Sequence, residues 1–203
     1  MNASPPDSSV SDSTLQPSFL NQLSRMLTQA CADLNDPSDL VEHCAPLLNQ
    51  LILAHPTEVD DLVSRLSWPT EADENYARQR ILECENGHWS VYAICWFPGQ
   101  YTPIHDHGTW GVVGVLQGCL HEHQMALIEH VPEDNIYRLA PAGVCLLSRG
   151  AINTFVPEPD HIHRSGVPMS GQPTASIHLY GRVMTHYHAY DMQSGTRSQL
   201  DVE

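Results

Sequence analysis

The sequence predicts a mainly β fold, an antiparallel barrel or double-sheet jelly roll behind an N-terminal α-helical lead-in. Two changes of pattern carry this reading. Between residues 18 and 69 apolar residues recur at spacings of three and four, the helical period, whereas from about residue 70 to 190 short runs rich in β-branched and aromatic residues alternate with Gly, Pro and Asn turns. A chain of 203 residues with 41 % hydrophobic content has enough apolar surface for one real core and suits a single domain with extensions.

Taken in order, residues 1–17 are rich in Ser, Pro and Asp, carry too little apolar surface to offset the entropy of ordering, and read as a disordered tail. The lead-in over 18–69 holds three helices. "SFLNQLSRMLTQACADL" places Phe19, Leu20, Leu23, Met26, Leu27 and Ala30 on one stripe, "DLVEHCAPLLNQLILAH" continues with Pro46 as a kink or break, and "EVDDLVSRL" is short. The barrel over 70–190 draws on strands at "QRILEC", "WSVYAICWF", "WGVVGVL", "LHEHQMALI", "NIYRLA", "VCLLS", "NTFV" and "SIHLYGRV", with turns at "ENG", "PGQ" and "PAG". Residues 191–203 read as a loose C-terminal tail.

Charge excludes some partners. Twenty-four acidic residues against nine Lys and Arg give a formal charge of −15, which repels a phosphate backbone and an anionic membrane surface alike, so neither nucleic acid nor membrane is expected. The N-terminal stretch lacks the basic and apolar regions of a secretory signal, and no apolar run is long enough to span a bilayer. The six cysteines form no CxxC pair and read as reduced thiols of a cytoplasmic protein, Cys95 as a small buried apolar residue. Nothing in the sequence addresses oligomeric state.

The chemistry concentrates in "TPIHDHGTWG". In an extended strand residues i and i+2 face the same way, so His105 and His107 can both reach one ion while Asp106 points to the other side. HxH also occurs at 121 and 123, 161 and 163, and 186 and 188. In a chain with 13 histidines these pairs read first as ordinary hydrogen-bonded residues.

"PIHDHGTWGVVGVLQG" resembles the first cupin motif, and "LAPAG" at 139–143 the opening of the second, which makes the implied fold a cupin, a double-sheet jelly-roll barrel. The Glu that usually follows HxH is missing, with no acid between His107 and Gly118. That absence, with "HIHRSGVP" and then "SIHLYG" thirteen residues after His163, resembles the thiol dioxygenases of the cysteine dioxygenase family over about Tyr76 to Arg182. The resemblance implies Fe(II) held by His105, His107 and His163, with His161 the rival third ligand. It also implies a hydrogen-bonded relay of Ser176, His178 and Tyr180, and dioxygen added to the sulfur of a thiol. Three neutral imidazoles suit this chemistry, because without a protein anion the metal keeps its charge for an anionic thiolate.

Two departures bear on substrate. Members of the mammalian type carry an Arg on an early strand and a Cys after HxH that links to the tyrosine. Counting back from His105 without a gap sets Gln79 at the arginine position, and counting through Gly118 sets Gly111 at the cysteine position. The reading is then a bacterial glutamine-type branch acting on 3-mercaptopropionate, with Gln79 and Tyr180 holding the carboxylate and no crosslink at Tyr180. Cysteine is the alternative, since a one-residue slip turns Arg78 or Arg80 inward. Arg182 is read as a barrel-rim residue. A non-catalytic metal-binding cupin would have no use for the relay, and a zinc hydrolase would want a general base beside the metal.

Overall fold

The structure, a computed structural model, describes residues 18–70, 76–157 and 161–202. The expected N-terminal tail lies outside the described residues. Three helices come first: α1 (Phe19–Asp33), α2 (Pro37–Ala54) and α3 (Pro56–Arg65). Their starts are chemically marked. Ser18 Oγ accepts from the amide of Asn21, and the Asp36 carboxylate accepts from that of Ser38 ahead of Pro37. Pro46 stays inside α2 without splitting it, because it and Glu42, whose carbonyl it leaves unpaired, both lie on the exposed face.

Eleven strands follow among the described residues. A five-stranded antiparallel sheet runs in the order β1 (Ala77–Glu83), β2 (Ser90–Trp96), β9 (Thr174–Tyr180), β4 (Gly111–Gln117), β7 (Ile152–Phe155). The other six strands close into a ring: β10 (His186–Asp191), β11 (Thr196–Asp201), β6 (Ile136–Ser148), β5 (Cys119–Val131), β8 (Ile162–Gly166) and β3 (Ile104–Asp106), with β3 pairing back onto β10.

The helices explain why the central strands of the first sheet look continuously apolar. Val91, Ala93 and Cys95 of β2 and Ala175, Ile177 and Leu179 of β9 join Leu23, Leu27, Leu48 and Ile52 in one core, so the helical lead-in covers the outer face of this sheet. Its inner face carries Tyr92, Ile94, Trp96, Val113, Val115 and Tyr180 into a second core inside the barrel. Cys95 is fully buried, and burial pushes its thiol up to about 12, as suits an inert packing residue.

Two expectations change. "NIYRLA" and "VCLLS" belong to one long strand, β6. "PAG" makes a bulge, not a turn: pairing steps from Gln124–Gly143 to Met125–Pro141, which leaves Ala142 over. The tail expected to be loose forms β11, paired along its length with β10. Asp106 helps to hold that hairpin, since its carboxylate accepts from the Tyr190 hydroxyl at 2.5 Å and meets His188 Nδ1 at 3.1 Å. Polar side chains spaced along one strand gave no apolar alternation to announce it.

Candidate metal centre and substrate cavity

His105 and His107 project from β3 and its end, and His163 from β8, which pairs with β3 so that His163 stands opposite His105. All three are buried, and their ligand nitrogens lie within 4.8 Å of one another. The Nε2 atoms of His105 and His107 are 3.1 Å apart, and His163 Nε2 is buried without a hydrogen-bond partner. His105 Nδ1 stands 3.0 Å from the Pro103 carbonyl, which can only accept, so Nδ1 carries the proton and Nε2 keeps its lone pair. Burial, and then the charge His163 would carry, push His105 well below the usual histidine range; for His107 the causes are burial, then His105 and His163. Neutral imidazoles with buried nitrogens converging on one point are the donor set a divalent transition metal requires, so the residues fit an iron ion.

His161, the rival, points elsewhere. Its Nε2 meets Glu122 Oε1 at 3.2 Å, on the far side of His163 from His105 and His107. Glu122 itself went unrecognised in the sequence. It is fully buried on β5, accepts from Asn153 Nδ2, and lies 3.4 Å from His163 Nδ1. Burial works against its ionisation, yet the hydrogen bonds and charges of His161 and His163 outweigh it and hold the carboxyl well below the usual range. The one available signal was an acid at an inward position of the alternating run "CLHEHQ".

The Ser176, His178 and Tyr180 side chains line up along the inner face of β9. Ser176 Oγ lies 2.7 Å from His178 Nε2, and His178 Nδ1 lies 3.3 Å from the Tyr180 hydroxyl. Burial, followed by His163, pushes His178 down to about 3, so it is neutral at ordinary pH. Burial likewise raises Tyr180, partly opposed by Arg78, which keeps it a phenol. The Tyr180 ring lies 5.3 Å from that of His107.

His178, Tyr180 and the three histidines open on a cavity that is also lined by Tyr76, Arg78, Met184 and Tyr187. Gln79 is not among them. It pairs with Ala93, whose side chain joins the helix-facing core, and its amide exchanges two 3.2 Å hydrogen bonds with the backbone of Ser67. Arg78, paired with Ile94, takes the inward place: its guanidinium lies 3.8 Å from the centre of the Tyr92 ring, and Nη2 donates to the Met184 carbonyl at 3.4 Å. The ungapped count from His105 missed by one residue because the parity of β1 is set by its hairpin with β2, not by distance along the chain. Arg80 faces solvent and pairs with Glu83.

Arg182 stays clear of the cavity lining. Its Nη2 donates to the carbonyls of His107 and His186, at 2.9 and 3.2 Å, which braces the end of the ligand strand. At Gly111 a Cβ would overlap the Phe155 ring, which stacks on His107 with centroids 4.3 Å apart. A larger residue there would have to displace the Phe155 ring, and with glycine at this position no thiol is present to meet Tyr180.

The profile of the family described as Cysteine dioxygenase type I matches residues 67–193, more than half of the chain. The chain belongs to this family. Among curated relatives, "Cysteine dioxygenase type 1" of Homo sapiens is 22 % identical over 165 residues, 76 % of this chain and 80 % of that protein. The Bos taurus protein of the same name is 24 % identical over 132 residues, 63 % of this chain and 62 % of that one. Solved structures with some likeness include a cupin-like protein from Thermotoga maritima, at TM-score 0.43 and 16 % identity over 66 % of this chain and 84 % of that one. A double-stranded β-helix protein from Klebsiella pneumoniae aligns at TM-score 0.44 and 17 % identity, over 71 % and 88 % of the two chains. The two antiparallel sheets and the family membership make the fold a cupin jelly roll, and no helix among the described residues is long and apolar enough to cross a membrane.

Proposed function

We propose that the protein is a non-haem iron(II) thiol dioxygenase that converts a small thiol carboxylate to its sulfinate, with cysteine favoured over 3-mercaptopropionate. The observation that carries this is the convergence of three buried imidazole nitrogens on a cavity that also holds an arginine and a buried phenol. His105, His107 and His163 would hold the iron. Iron(II), when bound, supplies the electrons through which dioxygen and a thiolate sulfur react, and thiolate plus dioxygen balances to sulfinate without a co-reductant.

The chain's own residues do the rest. Arg78 offers a cation to the substrate carboxylate; it forms no ion pair with a described carboxylate, so its charge is available. With His178 neutral and the Ser176 hydroxyl donating to its Nε2, Nδ1–H donates to the Tyr180 oxygen, which leaves the phenol proton to point into the cavity. The Tyr180 hydroxyl then meets the polar end of the substrate and holds a proton near the reacting sulfur. Tyr76, Ile94, Met184 and Tyr187 give the cavity aromatic and apolar walls that limit the entry of bulk water.

The preference for cysteine follows from the register of β1. The reading of 3-mercaptopropionate rested on an amide at the carboxylate, and Gln79 faces the helices. A guanidinium fork grips a carboxylate bidentately and at one distance, which suits an amino acid whose thiol, amine and carboxylate all need fixed places. The test is metal analysis of the purified protein with oxygen uptake on cysteine, 3-mercaptopropionate and mercaptosuccinate. Iron-dependent uptake with the highest kcat/KM on cysteine is expected. Preference for 3-mercaptopropionate would return the substrate reading to the glutamine-type branch, and uptake on none of them would end the dioxygenase proposal.

A further inference from the structure

Behind His163, on the side away from His105 and His107, lies a carboxylate with no exposed surface. Glu122 comes from β5, where it pairs with Ser165 of β8, so its side chain rises beside that of His163 two residues earlier on the same face. Three groups gather on one of its oxygens. Oε1 accepts from Asn153 Nδ2 of β7, meets His161 Nε2 at 3.2 Å, and stands 3.4 Å from His163 Nδ1, while Oε2 is buried with no partner. A buried carboxylate is costly unless donors surround it, and here all the donors converge on the oxygen nearest the imidazole.

That arrangement constrains His163. A carboxylate only accepts, so beside Glu122, with the Ser165 hydroxyl also 3.5 Å away, the proton of a neutral His163 belongs on Nδ1, and the lone pair belongs on Nε2, the atom that is buried without a partner. The other two histidines are supported differently. His105 has the Pro103 carbonyl behind it at 3.0 Å, and His107 Nδ1 has no partner. Of the three imidazoles, His163 alone is backed by an anion. His161, just before β8, and Asn153 of β7 meet the anion and leave the carboxylate little freedom to turn away.

We infer that Glu122, held in place by His161 and Asn153, is a positioning residue that fixes the tautomer and ring orientation of His163 and strengthens its metal-facing nitrogen. The inference rests on the proposed metal site and adds to it a carboxylate–histidine–metal line that none of the HxH patterns announced. His161 thereby has a role that is neither ligand nor bystander: it anchors the carboxylate. Carboxylates in this position on a ligating histidine make the nitrogen more basic, and their loss typically costs 10- to 100-fold in metal affinity.

The experiment is a titration of the full-length, metal-free protein with Co(II) and Fe(II). It compares the parent with Glu122→Gln, His161→Phe and His105→Ala, with thermal unfolding of each metal-free protein alongside. Glu122→Gln is expected to weaken metal binding by about 10- to 100-fold and to shift the visible absorption of the Co(II) form, because the charge behind one ligand is gone. His161→Phe leaves the carboxylate but frees it, and should weaken binding by a smaller factor in the same direction. Should Glu122→Gln fail to fold, His161→Phe carries the decision. Unchanged affinity and an unchanged Co(II) spectrum in the folded variants would overturn the inference, as would a lowered melting temperature of the metal-free protein with affinity intact. Failure of the metal site itself reads differently: a parent that binds neither metal, or a His105→Ala variant that binds as well as the parent, removes the site and the inference together.

Discussion

The two walls of the cavity are built differently. The metal-binding wall comes from β3 and β8, paired through His105 and His163, with Arg182 bracing its end and Glu122 behind it. The three histidines and Glu122 are buried there, and His105 and His163 each have a group behind Nδ1. The substrate wall comes from β1, an edge strand paired only with β2, bulged between Arg80 and Leu82, and only partly buried. Chemistry that must not vary sits on the over-determined wall. Under the proposed function, selection among thiols falls to the wall where one residue of slip exchanges a guanidinium for an amide.

The largest effects belong to the first wall. Alanine at His105, His107 or His163 should remove most bound iron and nearly all oxygen uptake, measured as metal per chain and turnover on cysteine. His161→Ala should keep the iron at saturating metal, and loss of iron there with retention in His163→Ala would exchange the two roles.

On the second wall Arg78→Gln should lower kcat/KM for cysteine by about 10- to 100-fold, the scale of one lost charge-assisted hydrogen bond, mainly through KM. Iron content should not change. The same substitution should lower the ratio of cysteine to 3-mercaptopropionate efficiency, since it supplies the amide expected from the glutamine-type reading. A fixed ratio would separate substrate choice from the arginine altogether.

Tyr180 stands where the walls meet. Tyr180→Phe keeps the ring against Tyr92 and His107 and removes only the hydroxyl. Iron should be retained and turnover reduced by roughly ten-fold, as for other positioned proton donors. An unchanged rate would leave Ser176, His178 and Tyr180 as strand packing.

What could be read in advance divides along the same line. His105 and His107 could be paired from the sequence because i, i+2 spacing on a strand is a local property, visible in "HDH"; His163 and the Ser176, His178 and Tyr180 row came only from the family resemblance, and the structure places His163 beside the first two and the other three in hydrogen-bonding sequence. The helical lead-in was legible through its period, but its use as a cover over β2 and β9 was not, because that is a contact between distant segments. Glu122 was hidden for the same reason: only the pairing of β5 with β8 brings it behind His163. The β10–β11 hairpin was missed because its segments carry little aliphatic alternation; backbone pairing with β3, the Asp106 contacts and the packing of Tyr190 on Tyr137 hold it, all of them between distant residues.

The smallest effect should come from Gln79, and it decides the register of β1. Gln79→Ala removes two hydrogen bonds to the Ser67 backbone, both exposed to solvent, so the stability cost should be about 0.5–1 kcal/mol, read as a fall of a few degrees at most in melting temperature. Because the side chain faces the helices and not the cavity, kcat/KM on cysteine and on 3-mercaptopropionate should both stay within about two-fold of the parent, within the factor left by a contact worth well under 1 kcal/mol. The substrate wall is then defined by the pair of variants: a large, substrate-selective effect at residue 78 with a small, unselective one at residue 79. The reverse pattern, selectivity lost at Gln79 and retained at Arg78, would mean that β1 turns its other face inward when substrate binds, and the amide would be the group that reads the carboxylate.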